Sequence, residues 1–261
     1  MSIAISVAGN LAAMQSEIRG IAQKQVRFAT ARALTDVARQ AQQDVQAEMR
    51  KVFDNPTPWV LRGVRTRSAD KTNLAAQVLI ESTGGKGVAP SKILAAEIEG
   101  GARRQKRFER ALQAKGMMPG GYVAVPAAGA PLDGNGNIPG AFLGKLLSYF
   151  QAFGEQGYKA NMAAKRMRGI HKVKVSTKGY KTYTGVAYFI SKGQGKNRHL
   201  RPGIYAKTGT HGADVTPIIM FVPQATYQPR LDFEGVVRKS VEQNFPARMR
   251  ARLAEAQRTA R

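Results

Sequence analysis

Two separated motifs in the chain match the spacing of a serine acyl-transfer site. Ser68 precedes Lys71 by three residues, and the run Lys207-Thr208-Gly209 follows much later, as in enzymes that combine a Ser-x-x-Lys element with a Lys-Thr-Gly element. Such a serine must begin a buried helix. Ser68 instead lies in the polar stretch 68–71, which favours a hairpin turn. We therefore predict a turn here and no acylation chemistry.

Two other stretches resemble loops that bind ions or phosphate. Residues 133–137 (DGNGN) begin like a calcium loop, but the sixth position is Ile138 instead of glycine and the twelfth is Gly144 instead of glutamate. The bidentate carboxylate of such a site is therefore missing. Lys86 and Lys196 each follow glycines, but neither is followed by the Ser or Thr of a phosphate-binding loop. We predict a turn at 133–137 and flexible loops around both lysines.

The remaining titratable groups do not form a reactive cluster in the sequence. Cysteine is absent, which excludes disulfides and fits a reducing compartment. The histidines are His171, His199 and His211, and none is spaced from another histidine or an acid as metal ligands are. Glu97 and Glu99 lie on different faces of a predicted helix, and Glu109 is expected to pair with a neighbouring Arg or Lys. We predict no catalytic residue, no metal ligand and no cofactor.

Charge is the strongest feature of the composition. The chain has 41 Lys and Arg against 17 Asp and Glu, a net charge of +24. Between Asp133 and Asp214 the sequence has 14 basic residues and a single acid, Glu155. A like-charged surface of this size repels itself unless a polyanion or an acidic protein lies next to it. We therefore expect one face of the molecule to meet nucleic acid or an acidic partner.

Ten basic residues are the candidate contacts to that partner, and the first five are the strongest candidates. They are Lys165, Arg166, Arg168, Lys172, Lys174, Lys178, Lys181, Lys196, Arg198 and Arg201. Tyr180 and Tyr183 interleave with two of these lysines, a pattern typical of nucleic-acid surfaces and also of an exposed sheet edge that lysines protect from pairing. The sequence has no convincing helix-turn-helix and no zinc finger. A nucleic acid would therefore be held by its phosphates, and binding would depend on salt.

The longest predicted element is a helix over residues 10–53, in which apolar residues recur at spacings of three, four and seven. These are Ile18, Ile21, Leu34, Val37, Ala41, Val45, Met49 and Val52. At 1.5 Å per residue an unbroken helix would reach roughly 50–60 Å, a length that suggests packing along a neighbouring molecule. Residues 54–58 (DNPTP) end the helix, because proline lacks the amide donor and restrains the residue before it.

A β-hairpin is predicted next, followed by short helices, further strands and a terminal helix. The predicted hairpin strands are 60–67 and 73–81, the helices are 91–100, 104–115 and 139–153, and the later strands are 122–125, 172–176, 182–190, 203–207 and 217–223. The last helix begins at an N-cap, Asp232, and carries apolar residues four apart from Val237 to Leu253. We expect it to kink or divide at Pro246.

The order of these elements favours an α+β fold, because helices and strands do not alternate regularly. We predict a long N-terminal helix packed on a mainly antiparallel sheet, with extended basic loops and a C-terminal helix. The expected segments are an α+β core at 1–155, a basic Gly/Lys-rich region at 156–215, and a strand with the terminal helix at 216–261. Together they form one domain with an insertion. The longest apolar run, 218–222, is far shorter than a bilayer span, and no basic region precedes the apolar N-terminus, so we expect no membrane partner and no secretory signal.

Several segments together resemble one group of viral proteins. They are Phe53 with Pro56-Thr57-Pro58, the run from Glu97 to Glu109 (EIEGGARRQKRFE), Gly121 to Pro126 (GYVAVP), Asp133 to Asn137, and Leu146 to Phe150 (LLSYF). This pattern resembles neck and tail-morphogenesis proteins of tailed bacteriophages and prophages, known as minor tail protein Z or head–tail joining proteins. It covers roughly residues 15–155, and the long Gly/Lys-rich segment departs from the shorter members of the group.

The resemblance implies a non-enzymatic structural protein of the virion, assembled in the host cytoplasm. Its implied role is a protomer of a homo-oligomeric ring at the head–tail junction (neck, connector or tail completion) or in the upper tail. The implied partners are further copies of the chain, portal or connector and tail proteins, and packaged DNA through phosphate contacts. The residues leave two alternatives open. One is a sequence-independent nucleic-acid-binding protein that acts outside the particle, and the other is an enzyme whose catalytic residues are dispersed in the sequence.

Overall fold

The computed structural model describes residues 2–6, 23–85, 87–224 and 226–259. The helices in these residues are α1 (Gln23–Val52), α2 (Pro58–Arg62), α3 (Pro90–Ile98), α4 (Arg107–Ala114), α5 (Gly140–Tyr149), α6 (Ala164–His171) and α7 (Phe233–Thr259), with 3-10 turns at Glu155–Ala160 and Gly195–Asn197. The strands are β1 (Ser2–Ser6), β2 (Val64–Arg67), β3 (Ala75–Ile80), β4 (Gly101–Ala102), β5 (Tyr122–Pro126), β6 (Val173–Val175), β7 (Lys181–Ser191), β8 (Gly203–Thr210), β9 (Asp214–Pro223) and β10 (Thr226–Tyr227). The strands pair in antiparallel fashion, so the fold is of the predicted α+β class.

The chain divides into two compact units, which are described separately. Unit 1 contains residues 1–103 and 226–261, and unit 2 contains residues 104–225. The expected segment limits at 155 and 215 followed the change to a basic composition. The units follow other limits, because the basic strands β6, β7 and β8 hydrogen-bond into the same sheet as β5 and β9. The change in composition therefore does not coincide with a change in packing.

Helix α1 is the central helix of unit 1, and its buried face is the one predicted from the spacing of apolar residues. Its fully buried residues include Leu34, Val37, Ala41, Val45 and Met49. This face packs against α7 and against strands β2 and β3. The helix ends at Val52, directly before the predicted stop at 54–58. The expected helical residues before Gln23, with Ile18 and Ile21 among them, lie outside the described part of the chain.

A charged network joins α1 to α7. Arg252 Nη2 lies 2.6 Å from Asp36 Oδ2, and Arg252 Nη1 lies 2.5 Å from Glu255 Oε2. Arg32 Nη1 lies 3.9 Å from the other oxygen of Glu255. Since Asp36 meets Arg252 and Arg32 meets Glu255, the two helices run antiparallel. The network is partly exposed, so burial of the apolar faces contributes more to stability than these ion pairs do.

Helix α7 continues through Pro246. The sequence predicted a kink or a division at this proline, and the helix is not divided there. Its core positions Val237, Phe245 and Met249 are buried on both sides of the proline. Packing on both sides therefore holds the helix together where one backbone hydrogen bond is missing. The predicted N-cap is confirmed, because Asp232 Oδ1 accepts a hydrogen bond of 2.9 Å from the backbone nitrogen of Gly235.

The small sheet of unit 1 has the strand order β1-β3-β2. Buried and half-buried residues alternate along β3, as the predicted pattern requires. The first hairpin strand is shorter than predicted, because residues 58–62 form α2 and β2 begins only at Val64. Thr57 caps α2 by accepting a hydrogen bond from the backbone of Val60, and Pro58 occupies the first turn. Thr57 and Pro58 are thus the sequence signals for the start of this helix, and the strand prediction did not take them into account.

Unit 2 is built on a five-stranded sheet with the order β5-β9-β8-β7-β6. Helices α4 and α5 pack their apolar residues on the sheet. This core contains Phe108, Leu112, Leu146, Leu147, Ile204, Ile219 and Phe221. The predicted strands are all present, with β8 and β9 longer than predicted. The predicted helix from Pro139 ends at Tyr149 instead of Phe153, and Phe150 follows as its C-cap.

One carboxylate is fully buried in unit 2. Glu109 has no exposed surface, and its two oxygens accept hydrogen bonds from the backbone nitrogens of Lys106 (2.7 Å) and Ala124 (2.9 Å). The first bond caps the start of α4, and the second ties α4 to β5. The side chain therefore acts as a bridge between a helix and a strand, in addition to any pairing with a basic neighbour of the kind predicted.

Candidate polyanion-binding surface

Seven of the ten predicted contact residues lie on one continuous stretch of unit 2. This stretch runs from α6 through β6 to the first residue of β7. We call these seven residues the cationic arm: Lys165, Arg166, Arg168, Lys172, Lys174, Lys178 and Lys181. Every one of them is solvent-exposed. No acidic residue occurs between the first and the last of them in the sequence.

Helix α6 separates its basic residues from its apolar ones. Met167, Ile170 and His171 are half-buried, whereas Lys165, Arg166 and Arg168 are exposed. The periodicity of an α-helix therefore directs the basic side chains to the solvent and the other face to the sheet. The helix ends where Lys172 adopts a left-handed conformation with φ 44°, which turns the chain into β6. Arg168 in the last turn is also favoured by the helix dipole.

The hairpin between β6 and β7 presents Lys178 at its turn. The backbone nitrogen of Ser176 donates to the carbonyl oxygen of Tyr180 at 2.9 Å, and the Ser176 hydroxyl oxygen accepts from the backbone nitrogen of Tyr180 at 3.0 Å. Gly179 has φ 81°, a conformation that a residue with a side chain rarely adopts. These bonds close the turn tightly, so Lys178 is presented from an ordered backbone.

The hairpin carries positive charge on both faces. Lys174 lies opposite Thr182, and Val175 lies opposite Lys181. Because neighbouring residues of a strand point to opposite sides, Lys174 and Lys181 project from different faces of the sheet. β6 is an edge strand in which all three residues are exposed. The arm is therefore a projection surrounded by cations and not a one-sided patch.

In the part of the chain that the structure describes, the charges of the cationic arm have no acidic partner. Among the described residues, no member of the arm takes part in an ion pair. Asp214, at the start of β9, is the single acid between residues 156 and 224. The arm therefore retains its charge for a partner outside the molecule.

The other three candidates form a separate group. Lys196, Arg198 and Arg201 lie in the connection between β7 and β8, at the opposite end of β7 from Lys181. With 11 residues in β7 at roughly 3.3 Å per residue, Lys181 and the second group are on the order of 30 Å apart. The structure therefore does not bring all ten predicted residues together, because a long strand runs between them.

The connection that carries this second group is braced at its base. The buried hydroxyl group of Ser191 donates to the carbonyl oxygens of Asn197 (3.3 Å) and Leu200 (3.1 Å) and accepts from the nitrogen of Gly193 (3.1 Å). The sequence suggested a flexible loop. Its ends are hydrogen-bonded to one side chain, which gives this loop a defined backbone path.

Tyr149 and His171 anchor the base of the cationic arm. The Tyr149 hydroxyl group lies 2.7 Å from His171 Nε2 and accepts a hydrogen bond of 3.1 Å from the backbone nitrogen of Tyr188 in β7. Burial raises the pKa of Tyr149 above its usual value of 10.0. Burial, followed by the charge of Lys207, lowers the pKa of His171 below 6.5. Both shifts favour the neutral forms, so the pair is neutral at neutral pH and one hydrogen joins the phenol oxygen to the histidine nitrogen.

The two tyrosines near the arm have different surroundings. Tyr183 is half-buried, with Lys207 Nζ 5.2 Å from the centre of its ring and His171 against its edge. Tyr180 is half-exposed and meets His211 edge to face, at 5.2 Å between ring centres. Only Tyr180 of these two offers an open ring surface. Lysines at the edge strand also fit the protective role that the sequence allowed.

The motifs that resembled catalytic or ion sites are structural turns. Asp70 accepts hydrogen bonds from the backbone of Thr72 and Asn73, so the polar stretch after Ser68 is the predicted turn. The matching Lys-Thr-Gly run lies on β8 in unit 2. Asp133 likewise closes its own loop by accepting bonds from two backbone nitrogens. In the described part of the chain, no cluster of three or more His, Asp or Glu could hold a metal ion.

Unit 1 has a cleft of about 480 Å³ beside the first half of α1. Its polar lining includes Arg32, Asp36, Asp70, Lys71 and Arg252. Asp36 is held by Arg252, and the side-chain hydrogen bond from Thr72 lowers the pKa of Asp70. A carboxylate held in its ionised form is a poor proton donor at neutral pH. Both carboxylates of the cleft are therefore engaged by neighbouring side chains of unit 1.

Three exposed apolar residues of unit 1 were not singled out from the sequence. Trp59, Val88 and Ile93 are 46%, 54% and 43% exposed. The indole nitrogen of Trp59 donates to the carbonyl oxygen of Val88 at 3.1 Å. Val88 and Ile93 lie on either side of the start of α3, at the two positions that can form a hydrophobic staple. We call these three residues the Trp59 patch. In the sequence, the only signal for this patch is the position of its residues at the starts of α2 and α3.

Comparison with known proteins adds no assignment: no family model, no curated protein and no solved structure matches this chain. In the described residues, no helix has both the length and the apolar composition needed to cross a bilayer.

Proposed function

We propose that this protein is a structural component of a tailed-phage virion, with no catalytic role. In this proposal it is a protomer of a homo-oligomeric ring at the head–tail junction, as a neck, connector or tail-completion protein, or in the upper tail. Its partners are further copies of the chain, portal or connector proteins and tail proteins. It is assembled in the host cytoplasm and resides in the virion. The sequence resemblance over residues 15–155 supports this role.

The Trp59 patch is the observation that carries the proposal. Covering the exposed half of a tryptophan with a partner is favourable, and tryptophan is enriched at protein contact sites. The hydrogen bond to Val88 holds the indole ring in a fixed orientation, so little side-chain entropy would be lost on assembly. We assign this patch to the contact between copies of the chain.

The cationic arm supplies the second part of the argument. Unit 2 contains 19 Lys and Arg against four Asp and Glu, and unit 1 contains 22 against 13. Both units are therefore positive, and many copies in a ring would repel one another without an enclosed or adjacent polyanion. A ring around packaged DNA or against an acidic connector protein meets that requirement.

Native mass spectrometry and negative-stain electron microscopy of the full chain test the assembly. We expect a closed ring, alone or on addition of portal and tail proteins. The variant Ile93→Glu should abolish or weaken assembly, because it places a charge in the Trp59 patch. Leu132→Glu is the matched control, since Leu132 is 52% exposed in unit 2 and lies outside the patch. A protomer that stays monomeric with all of these partners, or equal effects of both variants, would contradict the proposal.

The cationic arm also favours the rival function, a sequence-independent nucleic-acid-binding protein that acts outside a particle. The rival predicts a monomer that binds nucleic acid with a steep salt dependence and is indifferent to Ile93→Glu. Assembly state and sensitivity of assembly to the Trp59 patch therefore distinguish the two functions.

A further inference from the structure

We propose that the cationic arm binds the phosphate backbone of double-stranded DNA, and that the three basic residues between β7 and β8 do not belong to this site. The inference rests on the proposed function in placing DNA next to the protein, and it names the partner of one defined surface. Three observations support it: the composition of the arm, its shape, and the absence of ion pairs to its residues in the described part of the chain.

The side chains of the arm are suited to phosphates more than to carboxylates of a folded protein. Five of the seven are lysines, which present a mobile point charge on a flexible stem. The fixed two-donor fork of arginine matches carboxylate and phosphate alike, whereas lysine binds phosphate as a point charge without a fixed geometry. A protein partner would also offer its acids at separate fixed positions. Duplex DNA offers one negative charge for each 1.7 Å or so of its axis, so every mobile cation finds a phosphate.

The charges of the arm are spread over α6 and the hairpin and do not form a compact patch. Lys165 and Arg168 are three residues apart on α6, and Lys172 follows at the end of the helix. Lys174 lies on β6 and Lys178 lies at the hairpin turn. Cations spread over this length and over both faces of the hairpin match the phosphates of a duplex better than they match a compact acidic patch.

Hydroxyl groups lie among these cations. Ser176 and Thr182 lie on the hairpin, and the Thr182 side chain lies 3.4 Å from that of Thr210 on β8. Serine and threonine hydroxyl groups commonly donate to phosphate oxygens. The hairpin residues 173–182 include no Asn or Gln, the side chains that read the edge of adenine.

A second copy of the chain is not a suitable partner for the arm. Both units carry a net positive charge, and the acids Asp36, Glu97 and Glu255 are already engaged by arginines of unit 1. An acidic protein of another kind is the remaining alternative, and the experiment separates it from DNA.

The test compares two variants of the full chain that each lose four charges. The arm variant is Arg166→Gln, Arg168→Gln, Lys174→Gln and Lys178→Gln. The matched control is Lys192→Gln, Lys196→Gln, Arg198→Gln and Arg201→Gln, which removes the same numbers of Lys and Arg from the end of β7 and the connection that follows it. Affinity for a 30-base-pair duplex of random sequence is measured by fluorescence anisotropy between 50 and 200 mM salt, with polyglutamate as the competing acidic polypeptide.

If all seven residues contact phosphates, the unmodified chain should lose roughly 6,000-fold in affinity over this salt range, and the arm variant roughly 40-fold. The control variant should keep the steep dependence of the unmodified chain. Equal slopes for the two variants would overturn the inference, because net charge alone would then explain binding. Stronger competition by polyglutamate than by an equal charge of unlabelled duplex would overturn it in favour of an acidic protein.

Assembly measured on the same two variants separates this inference from the proposed function. Rings of the unmodified chain that form normally but bind no duplex would refute the DNA site alone. A chain that binds duplex through the arm and never assembles would refute the ring and leave the DNA site standing.

Discussion

The hydroxyl group of Tyr149 lies 2.7 Å from Nε2 of His171, and this contact joins the end of α5 to the end of α6. Because the backbone nitrogen of Tyr188 also donates to the same hydroxyl group, one phenol ties two helices to strand β7. His171 is followed directly by Lys172 and the edge strand β6. The orientation of the cationic arm therefore depends on a neutral tyrosine–histidine pair.

Replacement of Tyr149 by phenylalanine should lower the free energy of unfolding by about 1–2 kcal/mol, because the backbone nitrogen of Tyr188 and the ring nitrogen of His171 both lose a partner. Chemical denaturation of the purified variant measures the change. Tyr180→Phe is the control: Tyr180 is half-exposed, and its hydroxyl group makes no hydrogen bond among the described residues, so its stability should be unchanged. Equal stability of Tyr149→Phe and the unmodified chain would show that the phenol does not anchor the arm.

Stability should fall as the pH is lowered below about 6.5, and His171 should contribute to this fall. Its pKa in the folded protein is lower than the ordinary value of 6.5, because of burial and then the charge of Lys207. Between the two pKa values the unfolded chain binds more protons than the folded one, so each step to lower pH favours unfolding. The contribution is fully present above pH 6.5 or so and is lost as the pH passes below the folded value.

The variant His171→Gln isolates this effect. Glutamine can still accept the Tyr149 hydrogen bond but does not titrate, so the stability of the variant should depend less on pH below 6.5. His199→Gln, which replaces an exposed histidine outside the Tyr149 contact, is the control. Identical pH profiles for His171→Gln and the unmodified chain would exclude His171 as the titrating group.

Glu109→Ala should lower the free energy of unfolding by about 2–4 kcal/mol, because it leaves the backbone nitrogens of Lys106 and Ala124 without their acceptor in a buried site. Glu109→Gln keeps the volume but turns one acceptor into a donor that faces a donor, so part of the loss should remain. Denaturant titrations of both variants measure this, with the exposed Glu99→Ala as control. A loss below about 0.5 kcal/mol for Glu109→Ala would contradict the bridging role.

The regular elements of this fold could be predicted because their signals are local. The buried face of α1 and the alternation of β3 follow directly from the spacing of apolar residues. The helix α2 was missed because Val60 and Leu61 also suit a strand, and the deciding signal was the cap formed by Thr57 and Pro58. The end of α5 was misplaced because Phe150 and Phe153 continue its apolar pattern beyond the last helical turn.

The composition of the candidate site could be predicted, but its grouping could not. Exposure of the basic residues follows from charge alone, because an unpaired cation is rarely buried. Their division into an arm and a separate group depends on the length of β7. Lys181 and Lys196 are only 15 positions apart in the sequence, but this long strand places them far apart in space. The Tyr149–His171 contact and the Glu109 bridge join distant segments, and no local spacing encodes such contacts.

Ser240 is a position at which the structure predicts that a substitution raises stability. It is 2% exposed in the middle of α7, and its hydroxyl oxygen has no hydrogen-bond partner among the described residues. A buried hydroxyl group without a partner loses its hydration and gains nothing, and alanine is the better helix former. Ser240→Ala should therefore raise the free energy of unfolding by about 0.5–1 kcal/mol, whereas most buried substitutions lower it.

Ser148→Ala is the control in which stability should fall. It removes the 2.5 Å hydrogen bond from the Ser148 hydroxyl group to the carbonyl oxygen of Ala160 and should destabilise unit 2. Thermal and denaturant unfolding of both variants measure the two effects, and a clear destabilisation by Ser240→Ala would mean that its hydroxyl group has a partner after all.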